Sequence, residues 1–140
     1  FGYSVYLYLH YNLRLSLSDN KKIKWTIELI ENHKEKWDWI SLSQNNSLPW
    51  SLELIEKYHD KWDWYQLSQN EKLPWTFEFI EKFEGKWDWW HLSWNESIPW
   101  SIKLIHKYSD KIESHKNIWG ILKPFVDDEM VLELLKEIKE

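Results

Sequence analysis

Residues 51–75 read SLELIEKYHDKWDWYQLSQNEKLPW, and the fold is read from the fact that this pattern occurs three times in a row. Residues 26–50 read TIELIENHKEKWDWISLSQNNSLPW, and residues 76–100 read TFEFIEKFEGKWDWWHLSWNESIPW, with no insertion between copies. Trp25, Trp50, Trp75 and Trp100 therefore stand 25 residues apart, and Phe125 takes the next place. A fixed period of this length marks a repeat architecture. Each supersecondary module buries its apolar face only by packing on its neighbours.

Each unit divides into two helical segments. In residues 51–61, Leu54, Tyr58 and Trp62 recur at i, i+4 and i+8, with Leu52 and Ile55 beside them, which gives one apolar stripe. Glu53, Glu56, Lys57 and Lys61 lie off the stripe. The helix starts either near Pro49, whose missing N–H suits a first helical position, or after Ser51 as N-cap. Residues 63–70 form the second segment. Asp63 is placed to cap it, with Gln66 three residues on as in a capping box. Trp64 and Leu67 share a face, and Asn70 suits the left-handed position that ends a helix. Isolated helices below about 12–15 residues are marginal in water, so stacking must supply the stability. The rings of Trp62, Trp64 and Trp75 can contribute roughly 150–250 Å² of buried surface each. The predicted fold class is all-α: an α-solenoid of 25-residue helix–turn–helix repeats with degenerate terminal units.

The whole chain, 1–140, reads as a single repeat domain: a degenerate N-terminal unit (1–25), full repeats (26–50, 51–75, 76–100), then a degenerate repeat and C-terminal helical cap (101–140). Residues 101–111 follow the pattern as SIKLIHKYSDK, after which Ile112, Glu113 and Ser114 replace Trp-Asp-Trp. Residues 118–140 read as helical. Terminal units are expected to be atypical because one face meets water. At the other end, every odd position from Phe1 to Leu17 is apolar or aromatic, which is a strand signature. Against it, 15–20 align with 40–45 of the next unit, which makes 14–20 a second helix. Helix is expected for 14–20, while 1–12 is left open between strand and helix. A strand there would offer an edge for pairing.

The composition fits a packed domain of 140 residues in which aromatic rings, 13 of them Trp, carry the core. A net charge of −5 argues against nucleic acid, which asks for a basic stripe. No cysteine is present, so disulfides, thiolate metal sites and Cys nucleophiles are excluded. No apolar run approaches the ~20 residues of a membrane span, and no signal peptide is visible. A cytoplasmic setting is the expectation.

Catalytic groups do not emerge. The six histidines, His10, His33, His59, His91, His106 and His115, fall at six different places in the repeat, where a repeated metal site would use one. Asp38, Asp63 and Asp88 recur at helix starts, which reads as capping rather than a catalytic carboxylate pair. Ser43, Ser68 and Ser93 have no periodic histidine partner and read as local backbone hydrogen-bonders. The three glycines cannot build a phosphate loop. Trp37, Trp62 and Trp87, with Trp39, Trp64 and Trp89, read as inter-repeat core rather than stacking platforms. Lys36, Lys61, Lys86 and Lys111 would form a basic ladder, able to track phosphates, or would lay their stems on Trp with the charge in water. No enzyme activity and no cofactor are expected.

The WDW…LS…N…LPW pattern resembles tandem repeats of uncharacterised bacterial and giant-virus proteins. In outline it is similar to α-solenoids of the TPR and HEAT type, with a shorter unit. The resemblance covers roughly 13–111 and implies a repeat scaffold. Within the constant frame some places vary: Ile40, Tyr65 and Trp90; Ser41, Gln66 and His91; Gln44, Gln69 and Trp94. Variable residues on a fixed frame describe a surface that meets water or reads a partner. Tyr65, Gln66, Gln69, Trp90, His91 and Trp94 are therefore the candidate binding surface. Trp90 and Trp94, four apart, are predicted to form an aromatic patch, unless they pack against the degenerate fourth unit. The expected function is a non-catalytic scaffold for protein–protein interaction or self-assembly. The alternative is nucleic-acid or glycan binding through the Lys ladder and exposed Trp.

Overall fold

The computed structural model describes residues 2–112, 120 and 123–137, and every regular element among them is helical. The first helix, α1 (Gly2–Ser18), runs through the segment whose alternation left strand and helix open. A strand needs a partner ladder, and no strand is described, whereas a helix satisfies its own N–H and C=O groups.

The first helices of the units are α2 (Ile27–Asn32), α4 (Leu52–Lys57), α6 (Phe77–Lys82) and α8 (Ile102–Lys107). Each is capped by a hydroxyl. Thr26, Ser51, Thr76 and Ser101 accept from the amides of Leu29, Leu54, Phe79 and Leu104 at 3.1–3.2 Å. The helix therefore begins after Ser51, not at Pro49. The second helices are α3 (Trp39–Gln44), α5 (Trp64–Gln69) and α7 (Trp89–Ser93). Asp38, Asp63 and Asp88 cap them by accepting from the amides of Ser41, Gln66 and His91 at 2.8, 2.8 and 2.9 Å. The chain continues through α9 (Ser109–Ile112), a 3-10 turn (Lys123–Phe125) and α10 (Asp128–Glu137). Glu113, Ser114 and His115, and parts of the expected C-terminal cap, lie outside the described residues.

Two expectations are corrected. No described residue other than glycine has positive φ, and Asn70 is extended at φ −75° and ψ 116° rather than left-handed. Its amide is used elsewhere, inside the protein, and the extended backbone aims it there. Leu52, expected beside the apolar stripe, is 41% exposed because the first helical position faces outward from Leu54 and Ile55.

The described chain forms two compact units, 1–74 and 75–140. In the first, the end of α1 packs on α3, and α3 packs on α5. Trp25 meets Trp37 edge-on at 5.2 Å, and Trp62 is flanked by Trp39 at 4.7 Å and Trp50 at 5.0 Å. Successive modules are also tied by polar rungs. The Ser18 and Ser43 hydroxyls accept from the Asp38 and Asp63 amides at 2.9 and 3.0 Å. The Asn45 and Asn70 side chains donate to the Ser18 and Ser43 carbonyls at 2.9 and 3.0 Å. These Ser and Asn residues are buried, and buried polar groups are retained only when satisfied. Ser43 also donates to the Trp39 carbonyl at 2.7 Å, the local bond expected of it. Arg14 stands where later units carry the second Trp of WDW, and its guanidinium donates to the carbonyls of Lys36 and Trp37 at 2.9 Å each.

The second unit is built on Trp75, Phe79, Phe83 and Trp87, whose ring centroids lie 5.1–5.6 Å apart along the cluster. Ile80, Leu92, Leu104 and Ile112 are buried beside them, each worth about 1.5–3 kcal/mol of transfer free energy. Trp89 lies on Tyr108 at 4.4 Å, and the Tyr108 hydroxyl donates to Glu84 at 2.9 Å. Met130 of α10 is buried in the same unit. No helix among the described residues is long and apolar enough to cross a membrane.

Candidate functional site

On the second helices, the place directly after the leading Trp varies between repeats and faces water. Ile40, Tyr65 and Trp90 are 52%, 47% and 50% exposed. Leu42, Leu67 and Leu92, two residues on in the constant LS element, are fully buried. The cause is helical spacing. The cap at Asp38, Asp63 and Asp88 fixes where each second helix starts, so the next residues turn the same faces inward in every unit.

On α5, Tyr65 and Gln69 are exposed, and the Gln69 amide reaches the Tyr65 carbonyl at 3.4 Å. Gln66 is half-buried and contributes its backbone amide to the Asp63 cap. On α7, Trp90 and the 52% exposed Trp94 stand 6.2 Å apart at 57°, so the predicted aromatic patch is present on that helix. His91 sits edge-on to Trp90 at 4.5 Å, and its Nδ1 lies 2.9 Å from Asp88 Oδ1. Burial raises the Asp88 carboxyl, but the backbone and side-chain hydrogen bonds from His91 outweigh it and hold the group below the ordinary carboxylate value. The histidine is thus an orienting contact for the Trp90 ring. α7 is also tighter than its counterpart α5: Ser93 donates to Trp90, three residues back, where Ser68 reaches Trp64, four back.

Two lysines of the ladder, Lys61 and Lys111, lie against aromatic rings. Lys61 Nζ lies 5.8 Å from the Trp39 ring and 3.6 Å from Glu35. Lys111 lies 5.1 Å from Trp89 and 5.6 Å from Tyr108. Lys36 and Lys86 are exposed. Neighbouring lysines behave alike: Lys57 pairs with Glu31 at 2.7 Å, and Lys107 pairs with Glu81. The hydrogen bond and charge of Lys57 lower the Glu31 carboxyl.

No group of three or more His, Cys, Asp or Glu among the described residues could hold a metal ion. An open groove of about 470 Å³ runs between the start of α8 and α10, over Trp100, Phe125 and Met130. Sequence reasoning passed over two features: the Arg14 clamp and the exposed aromatic run of α1. The repeat alignment held a signal for the first, since Arg14 falls on the Trp64 place. The chain matches no protein-family model, no curated protein and no solved structure.

Proposed function

We propose that the chain is a non-catalytic α-solenoid of 25-residue repeats that serves as a protein-interaction scaffold. In this reading the second helices present the recognition face, with Trp90 and Trp94 as its aromatic anchors. The observation that carries it is the division within each unit. Repeat-constant places such as Leu42, Leu67 and Leu92 are buried, while the variable places Ile40, Tyr65 and Trp90 are about half exposed. Selection on packing holds the first set, and the second set is left to differ. Aromatic anchors that stand exposed on a rigid element are what interface hot spots are made of. The likeness of the WDW…LPW pattern to other tandem helical repeats fits the same reading.

The nucleic-acid or glycan alternative draws less support. Lys61 and Lys111 direct their ammonium groups at rings or carboxylates, which weakens a field for phosphate.

The test is affinity capture from a native-like lysate, read by mass spectrometry and by nucleic-acid staining. Wild type runs beside Trp90→Ser/Trp94→Ser, with helix content checked. Protein partners lost in the double variant support the scaffold. Nucleic acid that survives the double change and is stripped by salt would replace it with the lysine-ladder reading. No partner of either kind contradicts both.

A further inference from the structure

The groove between the start of α8 and α10 is continued along the same two helices by a second hollow of about 350 Å³, and the two share Ile102, Lys103 and Glu133. We infer that this trough is a docking site for a basic amphipathic segment of a partner protein. It is distinct from the α5 and α7 faces of the scaffold reading, and the two stand or fall separately.

The floor is apolar. Trp100 and Met130 are only 4% and 7% exposed, and Ile102 and Phe125, which also line the trough, are half-buried. The larger groove, at about 470 Å³, is within the ~300–1,000 Å³ of ligand sites. It is open along its length, however, so it suits a segment laid over it better than an enclosed small molecule. Methionine on such a floor adapts its shape to whatever apolar side chain arrives.

The rim selects the charge. Asp127, Glu129 and Glu133 stand along it. Asp127 is used in part, because it caps α10 by accepting from the Met130 amide at 2.8 Å. Glu129 and Glu133 have no hydrogen bond or ion pair with any described residue. In the repeats, by contrast, Glu31 and Glu81 each meet a lysine. Four residues apart on α10, Glu129 and Glu133 are like charges on one side of a helix, an arrangement that costs stability. Lys103 is the one cation among the described residues of the larger groove, and its Nζ lies 4.4 Å from the centroid of the Phe77 ring. A cation brought by a partner supplies what both carboxylates lack. The same rim turns phosphates away, and a second copy, with its net charge of −5, brings the wrong sign overall. Lys136 and His106 border the far hollow, so the partner's basic residues belong at the Glu129 end. From Asp128 to Lys136 α10 rises about 12 Å, which is room for about two turns of a helix laid alongside it.

The chain's one methionine is Met130, so an isotopic label on its methyl group reports this floor alone. The experiment titrates the full labelled chain with a synthetic amphipathic helical peptide of Leu and Lys, and with its counterpart carrying Glu for Lys, and follows the methyl resonance. The signal is expected to move with the basic peptide and to stay in place with the acidic one. Glu129→Gln/Glu133→Gln removes a like-charge pair and therefore folds as wild type does; it should weaken the basic peptide about tenfold. Glu53→Gln/Glu78→Gln makes the same change of net charge on exposed residues of other helices and should leave the affinity unchanged. A methyl signal that ignores the basic peptide, or follows the acidic one equally, overturns the inference. So does an equal loss of affinity in the two double variants. A signal that moves when the chain alone is concentrated places a second copy in the trough and overturns it as well.

Discussion

The side-chain amide of Asn70 donates to the backbone carbonyl of Ser43 at 3.0 Å, across 27 residues of sequence. Its Oδ1 accepts from the Lys72 amide at 2.9 Å. One buried side chain thus ties the preceding unit to the loop that leaves its own. Asn70→Ala leaves a buried carbonyl without a donor, and such a group costs about 1–3 kcal/mol. Asn70→Asp is expected to be at least as harmful, because a carboxylate cannot donate to Ser43. Urea denaturation of the two variants beside wild type checks both.

Tyr58 and Tyr108 occupy the same place in their units and differ in their hydroxyls. Tyr108 donates to Glu84, whereas the buried Tyr58 hydroxyl has no acceptor among the described residues. Tyr58→Phe should therefore be neutral or stabilising by up to about 1 kcal/mol, and Tyr108→Phe should cost about 1 kcal/mol. Phe83 already fills this place in the third repeat. In thermal melts, Tyr108→Phe is expected to lower the melting temperature and Tyr58→Phe to leave it unchanged or raise it.

Alkaline pH tests the same pair. Burial raises both phenols above the ordinary 10.0, and Glu84 adds to the rise at Tyr108. A raised folded-state value means that the folded protein holds the proton more tightly. The contribution is complete below pH 10 and is lost as pH rises through the folded value. Melting temperature should fall above pH 10 in wild type and fall less in Tyr58→Phe/Tyr108→Phe.

Acid acts through Asp88. Its carboxyl sits below the ordinary 3.8, so its stabilising contribution is present above that value and fades as pH falls through the folded one. Asp88→Asn keeps a cap acceptor and removes the titration. The variant should be slightly less stable at neutral pH, with a flatter acid limb, in melts recorded from pH 6 downward.

Arg14 replaces a tryptophan with a fork of donors aimed at carbonyls. Hydrogen bonds from a charged group contribute about 1.5–3 kcal/mol when partly buried. Arg14→Lys keeps the charge and loses the fork, so it should behave nearly as badly as Arg14→Ala. Hydrogen exchange at α1 and α3 is expected to quicken in both, while α7 is unaffected.

Much of this was legible in the sequence because it repeats. The spacing of Leu54, Tyr58 and Trp62 gave the inward face, and Asp63 gave the start of α5. The second role of Ser43 was not legible, since its partner Asp63 lies 20 residues away and no local pattern announces it. Asn70 misled for a related reason. Its residue type favours left-handed turns, but a buried acceptor outweighs that preference. In α1 the alternation was genuine, yet period two specifies a strand only where a neighbouring strand exists. Variation between units singled out Trp90 and Trp94 but left open whether they face water or the fourth unit, because variable places such as Tyr58 and Phe83 are also buried, and the identity of a partner has no local signature at all.

The most direct test removes one period. Excising 51–75 joins Trp50 to Thr76, which caps α6 as Ser51 caps α4. If the unit is the 25-residue module, Ser43 then receives the Asp88 amide and the Asn95 side chain in place of those of Asp63 and Asn70. The account predicts a cooperatively folded protein in urea denaturation, with lower stability, a smaller m-value and unchanged Trp burial per remaining ring. An excised chain that is unfolded or aggregated, or one that melts no differently from a chain cut out of phase by half a unit, would contradict it.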